Sequence, residues 1–281
     1  FLFLFLIPLK VFSKNIESNF YKRIVSLTLS GDEMLLSLVD DSRIVGLSGK
    51  INQDKDFSYV VESSKKFPRV ESNIETLIEL EPDFVIAADW MKRDVLSQIE
   101  DVTDNLYIYK TPKTFIEQKK LIQELARIFM VENRGKKIVE DMEVRLERLQ
   151  EKIKKSYSGK KPRILLYTSY ETTAGFDTSF NDLVEVIYCV NAAAEIGIKG
   201  SEKISKEKII EIDPDIIVIP VWSSDSSPKF ADFVKNDTSF KDLKAIKSKK
   251  VIVVPYRVTT PTSQYMIDGI EILAEKVYNL K

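Results

Sequence analysis

The chain of 281 residues contains no histidine. Imidazole is the commonest general base near neutral pH and the commonest metal ligand, so His-containing triads, HExxH zinc sites and His-ligated haem are excluded together. Glycine is scarce too, with nine residues, about 3% where roughly 7% is usual. Neither GxGxxG nor GxxxxGK followed by Ser or Thr occurs, which removes the phosphate-cradling loops of nucleotide sites. The single cysteine, Cys189, leaves no internal disulfide, no CxxC redox pair and no Cys-only zinc site. It reads as a buried apolar filler, because a His-free chain offers a thiolate no usual base. An excess of one charge is also missing: 42 basic residues face 43 acidic ones, a net charge of −1, without a long one-signed run. Nucleic acid is therefore not expected as a partner.

What is present points to two compact units. The hydrophobic content of 44% can build cores, and 281 residues suit about two domains at roughly 150 residues each. The opening run FLFLFLIPL is too short to span a bilayer, which needs about 20 apolar residues. It has the length of the apolar part of an export signal, and Val11 and Ser13 suit the −3 and −1 positions of a cleavage site before Lys14. Residues 1–13 are expected to be the remnant of such a signal, and the protein to work outside the cytoplasm.

Short β-branched runs alternate with longer helical stretches, the pattern of parallel sheets covered by helices. Strands are predicted at residues 23–29, 43–47, 84–87 and 106–109, and again at 163–168, 216–219 and 251–254. Between the two sets, residues 113–155 carry no proline, and apolar residues recur at helical spacing. Gly135 is expected to break this stretch into two helices, the second a long charged one standing where a linker belongs. The predicted organisation is an N-terminal α/β lobe over 14–131, a linking helix over 132–157 and a C-terminal α/β lobe over 158–281. A helix is a stiff tether, so ligand binding is expected to close the lobes only slightly.

An internal repeat supports two like lobes. Residues 74–90 (IETLIELEPDFVIAADW) align with 206–222 (KEKIIEIDPDIIVIPVW) at a constant offset of 132. The alignment matches Glu75 with Glu207, Ile78 with Ile210, Pro82 with Pro214, Asp83 with Asp215 and Trp90 with Trp222. Both segments read as a helix stopped by proline, then a buried strand, then a loop carrying tryptophan. That general pattern explains the prolines and the apolar runs but not the matched Glu and Trp.

At these residues the chain resembles the substrate-binding proteins of ABC importers for iron-siderophores, haem and cobalamin. The matching pieces, in family order, are residues 23–48 with their Ser-x-x-Glu helix start, 67–87, 180–195, 204–219 and the terminal VVPYR with its following helix. The chain departs from the family before Asn191, where Tyr188, Cys189 and Val190 stand in place of a common Gly-Gly. The resemblance implies two Rossmann-like parallel-sheet lobes joined by a single long helix. It further implies that Glu75 and Glu207 dock the protein to Arg residues of a membrane permease. A carboxylate in a first helical turn suits that role, being favoured by the helix dipole and open to a bidentate Arg.

Ligands of parallel α/β sheets gather at the carboxyl ends of the strands. The candidate ligand-binding residues are therefore Thr28 and Ser30, Trp90, Tyr167 and Tyr170, Trp222, and Tyr256 with Arg257. Trp and Tyr offer large stiff surfaces for a flat macrocycle or an aromatic chelate. An Arg in a cleft suits an anionic ligand, and Lys229, in the polar loop 223–229, lies at the rim. The expected protein is a monomer without catalytic residues, metal site or cofactor. It captures a small molecule, an iron-siderophore before a corrinoid or haem, for an ABC permease. The competing class is a two-lobed chelatase or nitrogenase-like enzyme, which needs His, Cys clusters or a cofactor loop.

Overall fold

A computed structural model describes residues 19–49, 54–70, 74–222, 227–260 and 262–280. The expected export signal at 1–13 and most of the loop 223–229 lie outside the described residues. The N-terminal lobe runs β1 (Ile24–Ser26), α1 (Leu29–Leu38), β2 (Ile44–Ser48), α2 (Val61–Ser64), β3 (Arg69–Val70), α3 (Ile74–Leu80), β4 (Phe84–Ala88), α4 (Arg93–Glu100), β5 (Leu106–Tyr109) and α5 (Phe115–Ile128). Its five strands are all parallel, in the order β3-β2-β1-β4-β5. The β1–α1 junction is tighter than the predicted strand 23–29. The Thr28 hydroxyl accepts the Gly31 N–H at 3.1 Å and so caps α1, which makes Leu29 helical. A Cβ at Gly31 would stand 2.5 Å from Ser26 Oγ, so the close approach of helix to strand needs glycine here.

The linking helix α6 (Glu132–Ser156) is 25 residues long, about 38 Å at 1.5 Å per residue. Gly135 does not break the helical stretch as expected. The chain turns at Met130, whose φ is 58°, and Gly135 sits inside α6, where an added Cβ would lie 2.4 Å from Ala126 Cβ of α5. Val139, Met142, Leu149 and Ile153 form the buried stripe of α6. They join one apolar cluster that includes Ile24 and Phe84 of the first lobe and Ile164 and Ile216 of the second. The two lobes therefore share a continuous core beneath the helix.

The C-terminal lobe runs β6 (Arg163–Leu166), β7 (Thr172–Ala174), α7 (Ser179–Val186), β8 (Val190–Asn191), α8 (Ala192–Glu195), β9 (Ser201–Lys203), α9 (Lys206–Ile212), β10 (Ile216–Val221), α10 (Ser227–Asn236), α11 (Lys244–Lys247), β11 (Val251–Pro255), α12 (Tyr256–Thr259) and α13 (Met266–Tyr278). Four strands form a parallel sheet in the order β11-β10-β6-β8, and β7 pairs antiparallel with β9. The turn before Asn191 is made with Tyr188 at φ 59°, a left-handed conformation that costs an L-residue roughly 1–2 kcal/mol.

The repeat is a repeat in space. Glu81 and Asp213, each before its proline, take φ 41° and 43° at the ends of α3 and α9. The Asp83 carboxylate accepts the Arg23 N–H at 2.9 Å, and Asp215 accepts the Arg163 N–H at 2.9 Å. Both guanidinium groups turn back onto the helix ends, Arg23 donating to the carbonyls of Leu80 and Glu81 and Arg163 to those of Ile212 and Asp213. The opening arginine of each lobe thus satisfies the carbonyls that a helix C-terminus leaves unpaired.

Candidate functional site

The carboxyl ends of the two sheets meet across the lobe boundary. After β2, Phe57 crosses to the C-terminal lobe, with ring centroids 5.7 Å from Trp222 and 4.9 Å from Tyr256. Trp222 at the end of β10 also packs edge-on against Tyr256 at 5.3 Å and stacks on Tyr170 at 6.0 Å. The result is an aromatic group built from four segments. Its open member is Tyr170, 66% exposed, and in the N-terminal lobe Trp90 stands 67% exposed at the turn after β4. Stiff rings left in water at a strand end form a ready surface for a large flat ligand.

A polar cluster lies beside the aromatic group. Glu33 of α1, buried, accepts the Tyr59 N–H at 3.0 Å and the hydroxyl of Ser263. Burial raises its carboxyl to about 7, against the lowering effect of these hydrogen bonds and of nearby Arg257, with Asp32 adding to the rise. The Gln264 amide donates to the Glu33 carbonyl at 2.8 Å and to the Ser37 hydroxyl at 2.7 Å. Tyr265 stacks on Tyr59 with centroids 4.7 Å apart. The Arg257 guanidinium lies 4.7 Å above the Tyr59 ring with its Nε buried without a hydrogen-bond partner, and the backbone N–H of Arg257 donates to the Asp56 carbonyl at 2.8 Å. Burial pushes the Tyr59 hydroxyl up, with Arg257 opposing.

The eight candidate ligand-binding residues divide into two groups. Tyr170, Trp222, Tyr256 and Arg257 line the boundary, and Trp90 stands exposed at the turn after β4. Tyr167 does not line the boundary: it is 1% exposed and packs on Phe230 and Phe240 in the core of the C-terminal lobe. Thr28 does not line it either: it is buried, and its hydroxyl is engaged by the Gly31 N–H and the Tyr109 hydroxyl. Ser30 is half-buried and pairs with Thr262 across the lobes, so it joins the lobes. Phe57, Tyr59 and Glu33 were not foreseen, although Phe57 and Tyr59 follow the second strand and so satisfy the rule that selected the others. Glu75 and Glu207 are both exposed, in the first turns of α3 and α9. The Glu207 carboxyl is held below its usual range by its own N–H and by the Ser205 hydroxyl.

Cys189 is buried, and burial pushes its thiol up to about 12, which keeps it protonated and unreactive. Among the described residues, no cluster of three or more acidic or Cys side chains is placed to hold a metal ion, and no helix is long and apolar enough to cross a membrane.

Two parallel-sheet lobes, one linking helix and an aromatic boundary at the strand ends define a two-lobed solute-binding protein. The model of the periplasmic binding protein family matches residues 24–258, and the chain belongs to that family. It is 27% identical over 263 residues to the ABC transporter substrate-binding lipoprotein YvrC of Bacillus subtilis, covering 92% of this chain and 80% of YvrC. It is 26% identical over 220 residues to the iron-uptake system-binding protein of the same organism, covering 74% and 66%. The solved structure of the molybdate-binding protein MolA of Haemophilus influenzae, bound to molybdate, superposes with a TM-score of 0.73 at 21% identity, covering 94% of this chain and 87% of MolA. The chain is accordingly a substrate-binding protein of the ABC-importer type, acting outside the cytoplasmic membrane, and not an enzyme.

Proposed function

We propose that the protein captures an iron complex, an iron-siderophore before a corrinoid or haem, between its lobes and delivers it to an ABC permease that docks on Glu75 and Glu207. The observation that carries the ligand class is the aromatic group of Phe57, Tyr170, Trp222 and Tyr256 with Arg257 beside it. A large chelate with aromatic or flat faces can spread over the exposed ring of Tyr170 stacked on Trp222, while Arg257 offers charge to an anionic one. A bare tetrahedral oxyanion asks for a tight ring of N–H and O–H donors, whereas these rings offer mostly apolar face with a single donor at the edge of each Tyr and of Trp222. The relative named as an iron-uptake system-binding protein supports iron over the oxyanion of MolA.

Titration of the purified protein, followed by the fluorescence of its two tryptophans, tests the reading. Ferric hydroxamate and catecholate siderophores, haem, cobalamin and molybdate are the probes. Quenching by a ferric siderophore at micromolar concentration or below, with no response to molybdate, is the expected result. Tight molybdate binding without response to any chelate overturns it.

A further inference from the structure

The repeat carries more than its glutamates. Ile78 and Ile210, matched at the offset of 132, each lie three residues beyond the docking Glu, one helical turn along the same face. Both are exposed, 54% for Ile78 and 43% for Ile210. Leu77 is the buried member of α3, and Ile209 and Ile212 are those of α9, so neither helix relies on the exposed Ile for its own packing. A single exposed Ile is ordinary and calls for no explanation. Among the described residues, however, no other two of the large apolar side chains left exposed are related by the repeat. Trp90 and Trp222 are not, since Trp222 is buried.

The charges around each Ile are matched as well. Glu75 and Glu79 flank Ile78, Glu207 and Glu211 flank Ile210, and all four are exposed. Lys208, where the first lobe has Thr76, pairs with Glu211 at 2.9 Å, so the C-terminal patch is the less acidic of the two. Each lobe therefore presents the same small device, an apolar knob within an acidic rim.

We propose that Ile78 and Ile210 are a second, apolar pair of docking anchors, each seated in an apolar socket rimmed by basic side chains on the ABC permease. The inference rests on the docking role of Glu75 and Glu207. Two like knobs suit a partner that offers two like sockets, as a two-fold assembly does. The division of work follows from physics. The glutamates steer the encounter over distance and lose strength in salt, while the isoleucines lose water on contact and hold the complex together.

The test measures binding of the full protein to nanodiscs carrying the permease–ATPase complex of its own importer. I78A and I210A should each weaken docking about tenfold and together about a hundredfold. Ligand affinity, melting temperature and the salt dependence of docking should stay as in the wild type. E75Q/E207Q should weaken docking mainly at low salt and flatten that dependence. If I78A/I210A docks like the wild type while E75Q/E207Q docks weakly, the apolar anchors are wrong and the docking glutamates stand. If neither double variant changes docking, the docking face itself is wrong. Loss of ligand affinity in I78A/I210A also overturns the inference.

Discussion

The Glu33 carboxylate, on the helix after the first strand, accepts a hydrogen bond from the Ser263 hydroxyl 230 residues further along the chain. With Gln264 on Ser37 and Tyr265 on Tyr59, this contact pins the segment that leads into the last helix onto the opposite lobe. The shared core under α6 joins the lobes a second time. Two such joints, with a stiff helical tether, favour a small closure around a ligand over a large one.

Glu33 makes that junction sensitive to pH. In the unfolded chain it titrates near 4.5, whereas in the folded protein burial raises it to about 7, with Asp32 adding to the rise and Ser263, the Tyr59 N–H and Arg257 opposing it. Between these values the folded protein holds the proton more tightly, so this group's contribution to stability falls as pH rises from 4.5 to 7 and stays low above 7. The full swing is on the order of 3 kcal/mol. E33Q keeps an oxygen to accept a hydrogen bond and has no proton to lose. Urea unfolding from pH 4.5 to 8 should show the wild type losing stability relative to E33Q by that order. Parallel curves for the two proteins would falsify the assignment.

Gly135 tests the seam between the first lobe and the linking helix. Helix propensity alone favours alanine there by about 1 kcal/mol. Packing opposes it, because the new Cβ would stand 2.4 Å from Ala126 Cβ, which is fixed to the backbone of α5 and cannot swing away. Overpacking costs roughly 1–3 kcal/mol, and a 2.4 Å contact with a backbone-fixed Cβ belongs at the upper end of that range, so G135A should be net destabilised by up to about 2 kcal/mol. Chemical denaturation of the two proteins decides the sign, and a stabilised G135A would show that α5 and α6 are not pressed together at this point.

The lobes, their order and the linking helix were legible because proline stops, apolar runs and the offset repeat are local signals that the structure realises at Pro82 and Pro214. The errors lie where local rules conflict. Tyr167 follows a strand, as a ligand residue does, yet it continues the strand's alternation from Leu165, and that face packs on the core with Ile217 and Ile219. Thr28 also follows a strand, but a helix start needed its hydroxyl as a cap. Gly135 looked like a breaker because its cause, contact with Ala126, lies on another helix. Glu33 was invisible for the same reason on a larger scale. A lone carboxylate on a helix reads as solvated, and what buries it arrives from the far end of the chain.

Arg257 is where ligand charge should be felt. Its Nε is buried without a hydrogen-bond partner, its ring contact is to Tyr59, and Glu33 nearby holds its proton more readily than a free carboxylate does. Near neutral pH the guanidinium charge is thus only partly offset, and an anionic ferric chelate can use it. A charge-assisted hydrogen bond of this kind contributes roughly 1.5–3 kcal/mol, so R257A should bind such a chelate about ten- to a hundredfold more weakly. R257K keeps the charge but not the planar fork or the stacking on Tyr59, and should fall between. Cobalamin, which asks mainly for aromatic surface, should bind the wild type and R257A alike, whereas W222A should weaken either ligand. The decisive measurement is a calorimetric titration of wild type, R257A and R257K with one anionic ferric siderophore and with cobalamin. Equal losses for both ligands in R257A would mean that Arg257 only positions Tyr59 and the loop around it. Tight cobalamin binding indifferent to Arg257, with weak siderophore binding, would overturn the siderophore preference and leave the importer role intact.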